Sequence, residues 1–278
     1  MGCFLPSKLY GVIGWPLGQT LSPLLHNTGF QSLGLPCVYM AWPVKPEDLE
    51  KFVDSLAIMN IQGLSITIPH KIAILRYLEN VSEAASLAGA VNTLFWRNNE
   101  LCGDNTDVTG FMAPLADLTA EKLDVLLLGA GGAAHAAAAG LRLAGCANVR
   151  VTSPGDQRQY ALAERFSYMP IRWNERYSHA ATLVINATPI GMTGSLAGES
   201  PYDFSLAPAV NNGIAYDLVY NPLETEFLKQ AAKAGRRCIS GLEMFIGQGN
   251  AQFQIWTGQP LPTDARQAVA KALGQVSA

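Results

Sequence analysis

The sequence predicts an α/β fold in two α/β domains, and three observations support this prediction. Segments of strand character alternate with segments of helical character from one end of the chain to the other. One of them, residues 124–128, consists of Asp124 followed by a continuous apolar run, which is typical of a strand covered on both faces of a parallel sheet. The length of 278 residues exceeds that of a domain with one small core, so two domains are expected.

Apolar periodicity and turn residues predict the elements of the first half. Strands are expected at residues 8–13, 38–42, 63–68, 91–96 and 101–103, and helices at 22–33, 46–59 and from 107 to about 118. Ser22 is the expected N-cap of the first helix because Pro23 follows it, and Gly34 ends that helix. Residues 97–100 are predicted to form a hairpin turn between the last two strands.

The same reasoning divides the second half into strands and helices. Strands are expected at residues 124–128, 149–152, 183–186 and 214–218, and helices at 133–144 and 224–234, the latter ended by Gly235. Residues 241–278 have helical character and no further strand. This pattern sets a second domain at residues 111–240, with parallel strands in both domains.

Composition excludes several classes of protein. Hydrophobic residues make up 49% of the chain and charged residues 15%, which favours a packed interior over disorder. The net charge of −3 argues against a nucleic-acid-binding protein, which usually presents a basic face. Five scattered cysteines and four histidines without ligand spacing predict no metal site and favour the reducing cytoplasm. No apolar run predicts a membrane span, and the N-terminus has no signal-peptide pattern.

A glycine-rich loop predicts that the second domain binds a dinucleotide. Gly129, Ala130, Gly131, Gly132 and Ala133 lie between the apolar strand and an alanine-rich helix. Glycines let the backbone approach a pyrophosphate, and the helix N-terminus offers N–H groups to it. The spacing is a variant of G-x-G-x-x-G, but its strand and helix context is the required one. The sequence therefore predicts a Rossmann-like domain.

The tip of the next strand bears on the choice between NAD and NADP. A carboxylate here would bind a free ribose 2′-hydroxyl, and a cation would bind a 2′-phosphate. The segment after Thr152 contains Ser153, Asp156 and Arg158. Asp156 favours NAD and Arg158 favours NADP, so this stretch alone leaves both open.

Polar residues near predicted strand ends of the first domain indicate carbonyl reduction. Lys71, Asn92 and Asp107 lie at such positions, where α/β sheets bind their ligands. A lysine ammonium stabilises a developing alkoxide and supplies its proton, and a carboxylate keeps the ammonium charged. Taken singly, Lys71 is typical of a solvated surface residue and Asp107 of a helix cap. For His70 we expect packing or hydrogen bonding rather than catalysis.

A set of motifs, taken together, resembles one enzyme family. The motifs are Y-G-V-I-G at 10–14, L-S-P-L-L-H-N at 21–27, T-I-P-H-K at 67–71, G-A-V-N-T at 89–93, N-T-D at 105–107, G-A-G-G-A at 129–133, N-A-T-P-I-G-M at 186–192, D-L-V-Y-N-P-L-E-T at 217–225, G-L at 241–242, and Gln248. In this order and at these spacings, over nearly the whole chain, they resemble the shikimate dehydrogenase family.

The resemblance implies an activity and an architecture. The activity is reversible, NADPH-dependent reduction of 3-dehydroshikimate to shikimate, a step of aromatic amino acid (chorismate) biosynthesis. The architecture is a substrate-binding domain at residues 1–110, completed by helices within 241–278, with the active site in the cleft between the domains. The implied partners are small molecules, and the expected state is a monomer or a homodimer.

The resemblance also implies roles for individual residues. Lys71 is the implied general acid and base, and Asp107 its partner. The implied substrate ligands are Thr20, Ser22 and Tyr220 for the carboxylate and Thr67, Asn92 and Gln248 for the ring hydroxyls, together with Lys71 and Asp107. The implied cofactor contacts are Gly129, Ala130, Gly131, Gly132, Ala133, Ser153, Arg158, Leu218 and Gly241.

Two departures from the family pattern affect these expectations. The family usually has a His-Ser pair where this chain has Gln19-Thr20, although threonine keeps the hydroxyl. NADP-using members typically have Asn-Arg-Thr where residues 153–155 are Ser-Pro-Gly, so only Arg158 of two arginines is present. Loss of one charge-assisted contact costs about 1.5–3 kcal/mol, or roughly tenfold to a hundredfold in affinity. NADP is the expected cofactor, with NAD as the alternative.

Two other functions compete with this interpretation. One is a quinate/shikimate dehydrogenase that uses NAD. The other is a non-catalytic protein that senses shikimate or a dinucleotide. The presence of both Lys71 and Asp107 argues against the second, because a sensor needs no proton donor.

Overall fold

A computed structural model describes residues 5–18 and 20–276 of the protein, which divide into two units. The first unit extends up to Thr106 and includes Ile246–Ala272. The second comprises Asp107–Phe245 and continues from Leu273. Each unit is built on a six-stranded sheet with helices, so the predicted α/β class is confirmed.

The strands follow the predicted alternation with a few shifted ends. They are β1 (Lys8–Gly14), β2 (Cys37–Pro43), β3 (Ile61–Ile66), β4 (Asn80–Val81), β5 (Thr93–Arg97), β6 (Glu100–Asp104), β7 (Val125–Leu128), β8 (Val149–Thr152), β9 (Met169–Pro170), β10 (Leu183–Asn186), β11 (Ile214–Asp217) and β12 (Arg237–Ile239). The sequence did not predict β4, β9 and β12, because each has only two or three residues.

The helices lie between these strands and at the end of the chain. They are α1 (Ser22–Ser32), α2 (Leu49–Ser55), α3 (His70–Ala73), α4 (Glu83–Ala88), α5 (Thr106–Met112), α6 (Gly132–Leu143), α7 (Arg158–Phe166), α8 (Glu226–Lys233), α9 (Gly241–Thr257) and α10 (Thr263–Val276). Short 3-10 helices occupy Pro46–Asp48, Ile74–Tyr77, Ala113–Leu115, Ala120–Lys122 and Trp173–Glu175.

The sheet of the first unit is mixed, which corrects the expectation of a parallel one. Its order is β2-β1-β3-β5-β6-β4, and β5 runs antiparallel to both β3 and β6. The hairpin between β5 and β6 is the predicted one. Asn98 and Asn99 turn it with φ of 52° and 64°, a conformation that asparagine tolerates. The antiparallel pairing therefore follows from a two-residue turn, which cannot make a parallel crossover.

Both faces of this first sheet are covered. Along β1, Tyr10 and Val12 pack on one face in an apolar cluster with Phe253 and Trp256 of α9. Ile13 points to the other face and joins a second apolar cluster. The alternation has the period of two that a strand imposes.

The sheet of the second unit is parallel, with the order β12-β11-β10-β7-β8-β9. Read from β9, this is the 3-2-1-4-5-6 order of a dinucleotide-binding α/β fold. All four residues of β7 are fully buried, as the apolar run predicted. Strands β8 and β9 are added on one side of β7, and β10, β11 and β12 on the other. Ligands of such sheets bind at this switch point between β7 and β10.

Four predicted helices have different boundaries in the structure. The helix expected at 46–59 is a 3-10 turn at Pro46–Asp48 followed by α2, which ends at Ser55. Ser22 is the first helical residue rather than the N-cap, and its own N–H donates to Thr20 Oγ1 at 3.3 Å. The helix expected from 107 to 118 begins at Thr106 and ends before a 3-10 turn, since Pro114 lacks an N–H. The helix expected at 224–234 begins at Glu226, because Thr225 caps it by accepting from Leu228 N.

Within the described residues, no helix combines the length and apolar character needed to cross a membrane.

Candidate active site

Backbone hydrogen bonds gather the predicted polar residues of the first unit at one edge of its sheet. Thr67 directly follows β3, and Lys71 lies in the short helix α3. Val91 N donates to Lys71 O at 2.8 Å, and Ile66 N donates to Asn92 O at 2.7 Å. Because β5 is antiparallel to β3, its first residues lie at the edge where β3 ends. Lys71, Thr67 and Asn92 therefore lie close together.

Lys71 and His70 have different environments although they are neighbours. The Lys71 side chain is half-buried, whereas His70 is 1% exposed. His70 Nε2 donates to the carbonyl of Val44 at 2.7 Å. This hydrogen bond confirms the expected structural role of His70.

The oxygen of the Asn92 side-chain amide is fixed by hydrogen bonds within the first unit. Asn92 is 3% exposed, and its Oδ1 accepts from Thr106 N at 2.7 Å, from Thr106 Oγ1 at 3.1 Å and from Thr93 Oγ1 at 2.7 Å. In the described part of the chain no group accepts from its Nδ2. The amide nitrogen is thus left to donate to a ligand oxygen. Asp107 is peptide-bonded to Thr106, so the same contacts hold the start of α5.

The other predicted substrate ligands of the first unit lie in α1, the loop before it and α9. Thr20 is half-buried and Ser22 is 9% exposed. Burial raises the pKa of the Tyr39 phenol, and the Ser65 and Ser22 side chains oppose this shift. Gln248, in α9, is 9% exposed. Gln19, whose replacement of the family's histidine was noted, lies outside the described residues.

A buried polar cluster that the sequence did not predict adjoins these residues. It consists of His26, Tyr39, Ser65, Thr93 and Gln252. Burial lowers the pKa of His26 to about 3, and its hydrogen bond to Gln252 opposes this shift only in part. A signal was present, because Gln252 follows Gln248 by four residues and therefore shares its helix face.

In the second unit, the glycine loop has the geometry that a pyrophosphate requires. Gly129 has φ of 115°, and a Cβ there would lie 2.6 Å from Ala187 O. By contrast, a Cβ on Gly131 or Gly132 would have no neighbouring atom within 4 Å. The open space faces the start of α6, whose first N–H groups lack helical acceptors. The loop therefore fits a dinucleotide phosphate, with Ala130 and Ala133 on either side.

The tip after β8 is organised by internal hydrogen bonds. Ser153 Oγ donates to Gln159 Oε1 at 2.7 Å, and Gln159 Nε2 donates to Asp156 Oδ1 at 3.0 Å. Asp156 Oδ1 also accepts from Trp173 N at 2.7 Å. Arg158, the first residue of α7, is exposed, and no carboxylate of the described residues pairs with it. One oxygen of Asp156 is thus engaged inside the protein, whereas the Arg158 charge remains available.

The loop after β11 carries two further predicted residues, Leu218 and Tyr220. Leu218 N donates to Asn186 O at 2.9 Å, next to the glycine loop's neighbour Ala187. Tyr220 stacks on Phe245 with ring centroids 5.1 Å apart, and burial raises the pKa of its phenol. A Cβ on Gly241 would lie 2.6 Å from Leu218 O, so glycine there permits close backbone approach.

A second unpredicted polar cluster braces this loop. Asp217 is fully buried, and its carboxylate accepts from Asn186 Nδ2 at 2.9 Å, from Val219 N at 3.0 Å and from the Thr225 hydroxyl. These partners are uncharged, and burial raises the pKa of Asp217 to about 6. The motifs containing Asn186 and Asp217 were identified in the sequence, but nothing in their spacing indicated that they meet.

The predicted site residues are thus divided between the two units. Thr20, Ser22, Thr67, Lys71, Asn92 and Gln248 belong to the first unit. Asp107, Tyr220 and the predicted cofactor contacts belong to the second. Within the second unit, the loops after β7, β8, β10 and β11 all leave the carboxyl edge of one parallel sheet.

Comparison with known proteins connects these features to one family. The shikimate dehydrogenase substrate binding domain matches residues 12–94, and the shikimate 5′-dehydrogenase C-terminal domain matches residues 241–272. The shikimate dehydrogenase (NADP(+)) of Pelobacter propionicus is 50% identical over 273 residues, which cover 98% of each chain.

Solved structures give the same result. Shikimate 5-dehydrogenase of Thermus thermophilus, in complex with NADP(H) and shikimate, is 36% identical with a TM-score of 0.85 over 96% of this chain and 100% of that chain. Quinate dehydrogenase of Corynebacterium glutamicum, in complex with NAD, is 30% identical with a TM-score of 0.86 over 95% and 99%. With half of its residues identical to a relative of matching length, the chain belongs to the shikimate dehydrogenase family.

Proposed function

We propose that this chain is a shikimate dehydrogenase that reversibly reduces 3-dehydroshikimate to shikimate with NADPH, in aromatic amino acid biosynthesis. The observation that carries the proposal is the hydrogen-bonded edge of the first unit. There Val91 N binds Lys71 O, and Asn92 Oδ1 binds Thr106, which precedes Asp107. A proton donor, a hydrogen-bond donor for a ring oxygen and a carboxylate are thus linked through short contacts. The relatives named for this reaction support it.

In this proposal Lys71 is the catalytic acid. When bound, NADPH supplies the hydride that the ring ketone carbon accepts. The Lys71 ammonium donates its proton to the ketone oxygen as the C=O π bond breaks, and neutral Lys71 then regains a proton from water. Asp107 is the partner of Lys71 and accepts a hydrogen bond from a substrate hydroxyl. The reverse reaction uses neutral Lys71 as the base.

The remaining polar residues hold the substrate. Thr20, Ser22 and Tyr220 donate hydroxyl hydrogen bonds to its carboxylate. Asn92 Nδ2, Thr67 and Gln248 bind its ring hydroxyls. The fixed Asn92 amide supports this assignment, because its Oδ1 is occupied by three donors and only its nitrogen can reach a ligand.

NADP is the cofactor that the second unit favours. The open space at Gly131 and Gly132 fits the pyrophosphate, and Arg158 carries an unpaired charge for the 2′-phosphate. Asp156 is the residue that would favour NAD, but its Oδ1 is engaged by Gln159 and Trp173. The Pelobacter relative is named for NADP as well.

A quinate/shikimate dehydrogenase that uses NAD is the second candidate. It is favoured by Ser-Pro-Gly at residues 153–155, which lacks one expected arginine, and by the similarity to the Corynebacterium quinate dehydrogenase. The proposal includes cytoplasmic location, small-molecule partners only, and a monomeric or homodimeric state. It also assigns substrate binding to residues 1–110 with 241–278 and NADP binding to 111–240.

The test is a paired assay of the purified chain with shikimate or quinate and with NADP⁺ or NAD⁺, followed by absorbance of the reduced nicotinamide. We expect turnover of shikimate, with kcat/KM at least about tenfold higher for NADP⁺ than for NAD⁺. Equal or better turnover of quinate with NAD⁺ would favour the second candidate. No turnover of either substrate would contradict both.

A further inference from the structure

Gln252 is a buried amide that the proposed reaction does not use. It lies in α9, one turn after Gln248, and is 1% exposed. Its side chain makes four hydrogen bonds, to Ser65, His26, Thr93 and the backbone of Asn92. A buried amide with all its hydrogen bonds satisfied specifies one arrangement of its neighbours.

The orientation of the Gln252 amide is determined by its partners. The Asn92 carbonyl only accepts, so the Gln252 nitrogen faces it, at 3.3 Å. Gln252 Oε1 then accepts from Ser65 Oγ at 2.9 Å and from His26 Nε2 at 3.2 Å. Burial keeps His26 neutral, and its buried Nδ1 has no partner, which fits a proton on Nε2.

This orientation determines the direction of the next hydrogen bond. Gln252 Nε2 donates to Thr93 Oγ1 at 3.1 Å, so the Thr93 hydroxyl is free to donate its proton to Asn92 Oδ1 at 2.7 Å. Gln252 thus contacts Asn92 twice, once at its backbone and once through Thr93. With Oδ1 held in this way, the Asn92 nitrogen points away from the cluster.

We propose that Gln252 is a positioning residue for the substrate, acting by holding Asn92 in the orientation that presents its Nδ2 to a ring oxygen. The inference rests on the proposed function, because it needs a substrate oxygen at Asn92. The inference explains why this core position holds a polar side chain. An apolar residue would need no hydrogen bonds here, whereas a buried amide costs free energy unless all of its hydrogen bonds are made. The inference also gives α9 a second residue, one turn after Gln248, that bears on substrate binding.

Three variants test this role. Gln252→Met keeps the side-chain volume and removes all four hydrogen bonds. Thr93→Val keeps Gln252 but removes the Thr93 hydroxyl, and with it the bonds to Asn92 Oδ1, Gln252 Nε2 and Thr106 Oγ1. Both should raise the KM for shikimate by about 3- to 30-fold, change kcat less, and leave the Kd for NADP⁺ unchanged. Gln254→Met, on the exposed side of the same helix, is the matched control and should match wild type.

A double-mutant cycle distinguishes positioning from general stabilisation. In an Asn92→Ala background, Gln252→Met should lower kcat/KM for shikimate by less than about twofold, because its effect passes through Asn92. An equal loss in both backgrounds would overturn the inference. If Gln252→Met does not fold, Thr93→Val in the same cycle decides by the same criterion. Wild-type inactivity with shikimate would instead refute the proposed function, so the two failures are distinguishable.

Discussion

At the scale of single residues, burial determines the chemistry of Asp217. Its carboxylate is completely buried among uncharged donors, and burial raises its pKa to about 6. The hydrogen bonds from Thr225, Val219 N and Asn186 lower the pKa and only partly offset the burial. The charged form is therefore stabilised less in the folded chain than in water.

This shift predicts a pH-dependent stability. Between about pH 4 and 6 the folded chain binds more protons at Asp217 than the unfolded chain, so stability falls as pH rises through this window and is level above it. In Asp217→Asn the oxygen can keep two donors and the nitrogen can donate to Thr225. Relative to this variant, the wild type should lose up to about 3 kcal/mol in free energy of unfolding between pH 4 and 7.

Urea unfolding of both proteins at each pH measures the difference. The lowered pKa of His26 makes stability rise with pH from about 3 to its ordinary value, but that contribution is present in both proteins and cancels. A difference that does not vary with pH would contradict the assignment to Asp217.

The role of a residue could be predicted where a sequence motif indicated its chemistry. It could not be predicted where the role depends on contacts between segments that are distant in the sequence. The structural role of His70 followed from its place beside Lys71. Ser22 was expected as an N-cap, but it is the first residue of α1, and its N–H donates to Thr20 Oγ1 in the loop before the helix. Gln252 makes its contacts with Ser65 and Thr93 across 187 and 159 residues, which local spacing cannot indicate.

At the scale of elements, the glycines of the loop between β7 and α6 serve two different purposes, folding and, in the proposed function, ligand binding. Gly129 needs its positive φ and its closeness to Ala187, which are requirements of the fold. Gly131 has φ of −91° and ψ of −169°, which any residue adopts, and a Cβ there would meet nothing. The missing side chain of Gly131 therefore matters only if a ligand occupies the space beside it.

Alanine substitutions should therefore have opposite consequences. Gly131→Ala should leave the melting temperature of the free protein within about 1 °C of wild type and weaken NADP⁺ binding at least about tenfold. Gly129→Ala should lower the free energy of unfolding by about 1–3 kcal/mol. Thermal unfolding and NADP⁺ titration by intrinsic fluorescence measure both. Wild-type NADP⁺ affinity in Gly131→Ala would show that the dinucleotide does not lie over this loop.

Most elements were predictable because each has a clear local pattern. The apolar run of β7, the small residues of α6 and the Asn98-Asn99 turn all gave the right structure. The short strands were missed because two or three residues show no periodicity. Helix ends differ from the predicted ones where a proline ends the helix or a side chain caps it, as at Pro114 and Thr225.

At the scale of the whole molecule, the two sheets differ in what the sequence revealed. The order of the second sheet agrees with the dinucleotide-binding class that the glycine loop indicated. The mixed character of the first sheet did not follow from the alternation of strands and helices. It arises because β5 runs antiparallel to β3, which precedes it in the sheet, and to β6, its hairpin partner. The packing of α9 on that sheet depends on contacts such as Trp256 Nε1 to Leu94 O, 162 residues away.

The division of predicted residues between the units bears on function. Lys71 belongs to the first unit and Asp107 to the second, so the proposed catalytic pair needs both. The proposed substrate ligands are divided too, because Tyr220 belongs to the second unit with the glycine loop and the others, apart from Asp107, to the first. The chain as a whole is therefore the unit to assay, rather than either part.

The central claim is that Lys71 transfers the proton in the reduction of 3-dehydroshikimate. The direct test is kcat of Lys71→Ala with 3-dehydroshikimate and NADPH, beside Lys51→Ala, whose lysine side chain is 84% exposed. We predict that Lys71→Ala lowers kcat by about 10²- to 10⁴-fold with an unchanged Kd for NADPH, and that Lys51→Ala matches wild type. A kcat for Lys71→Ala close to that of wild type would contradict the account.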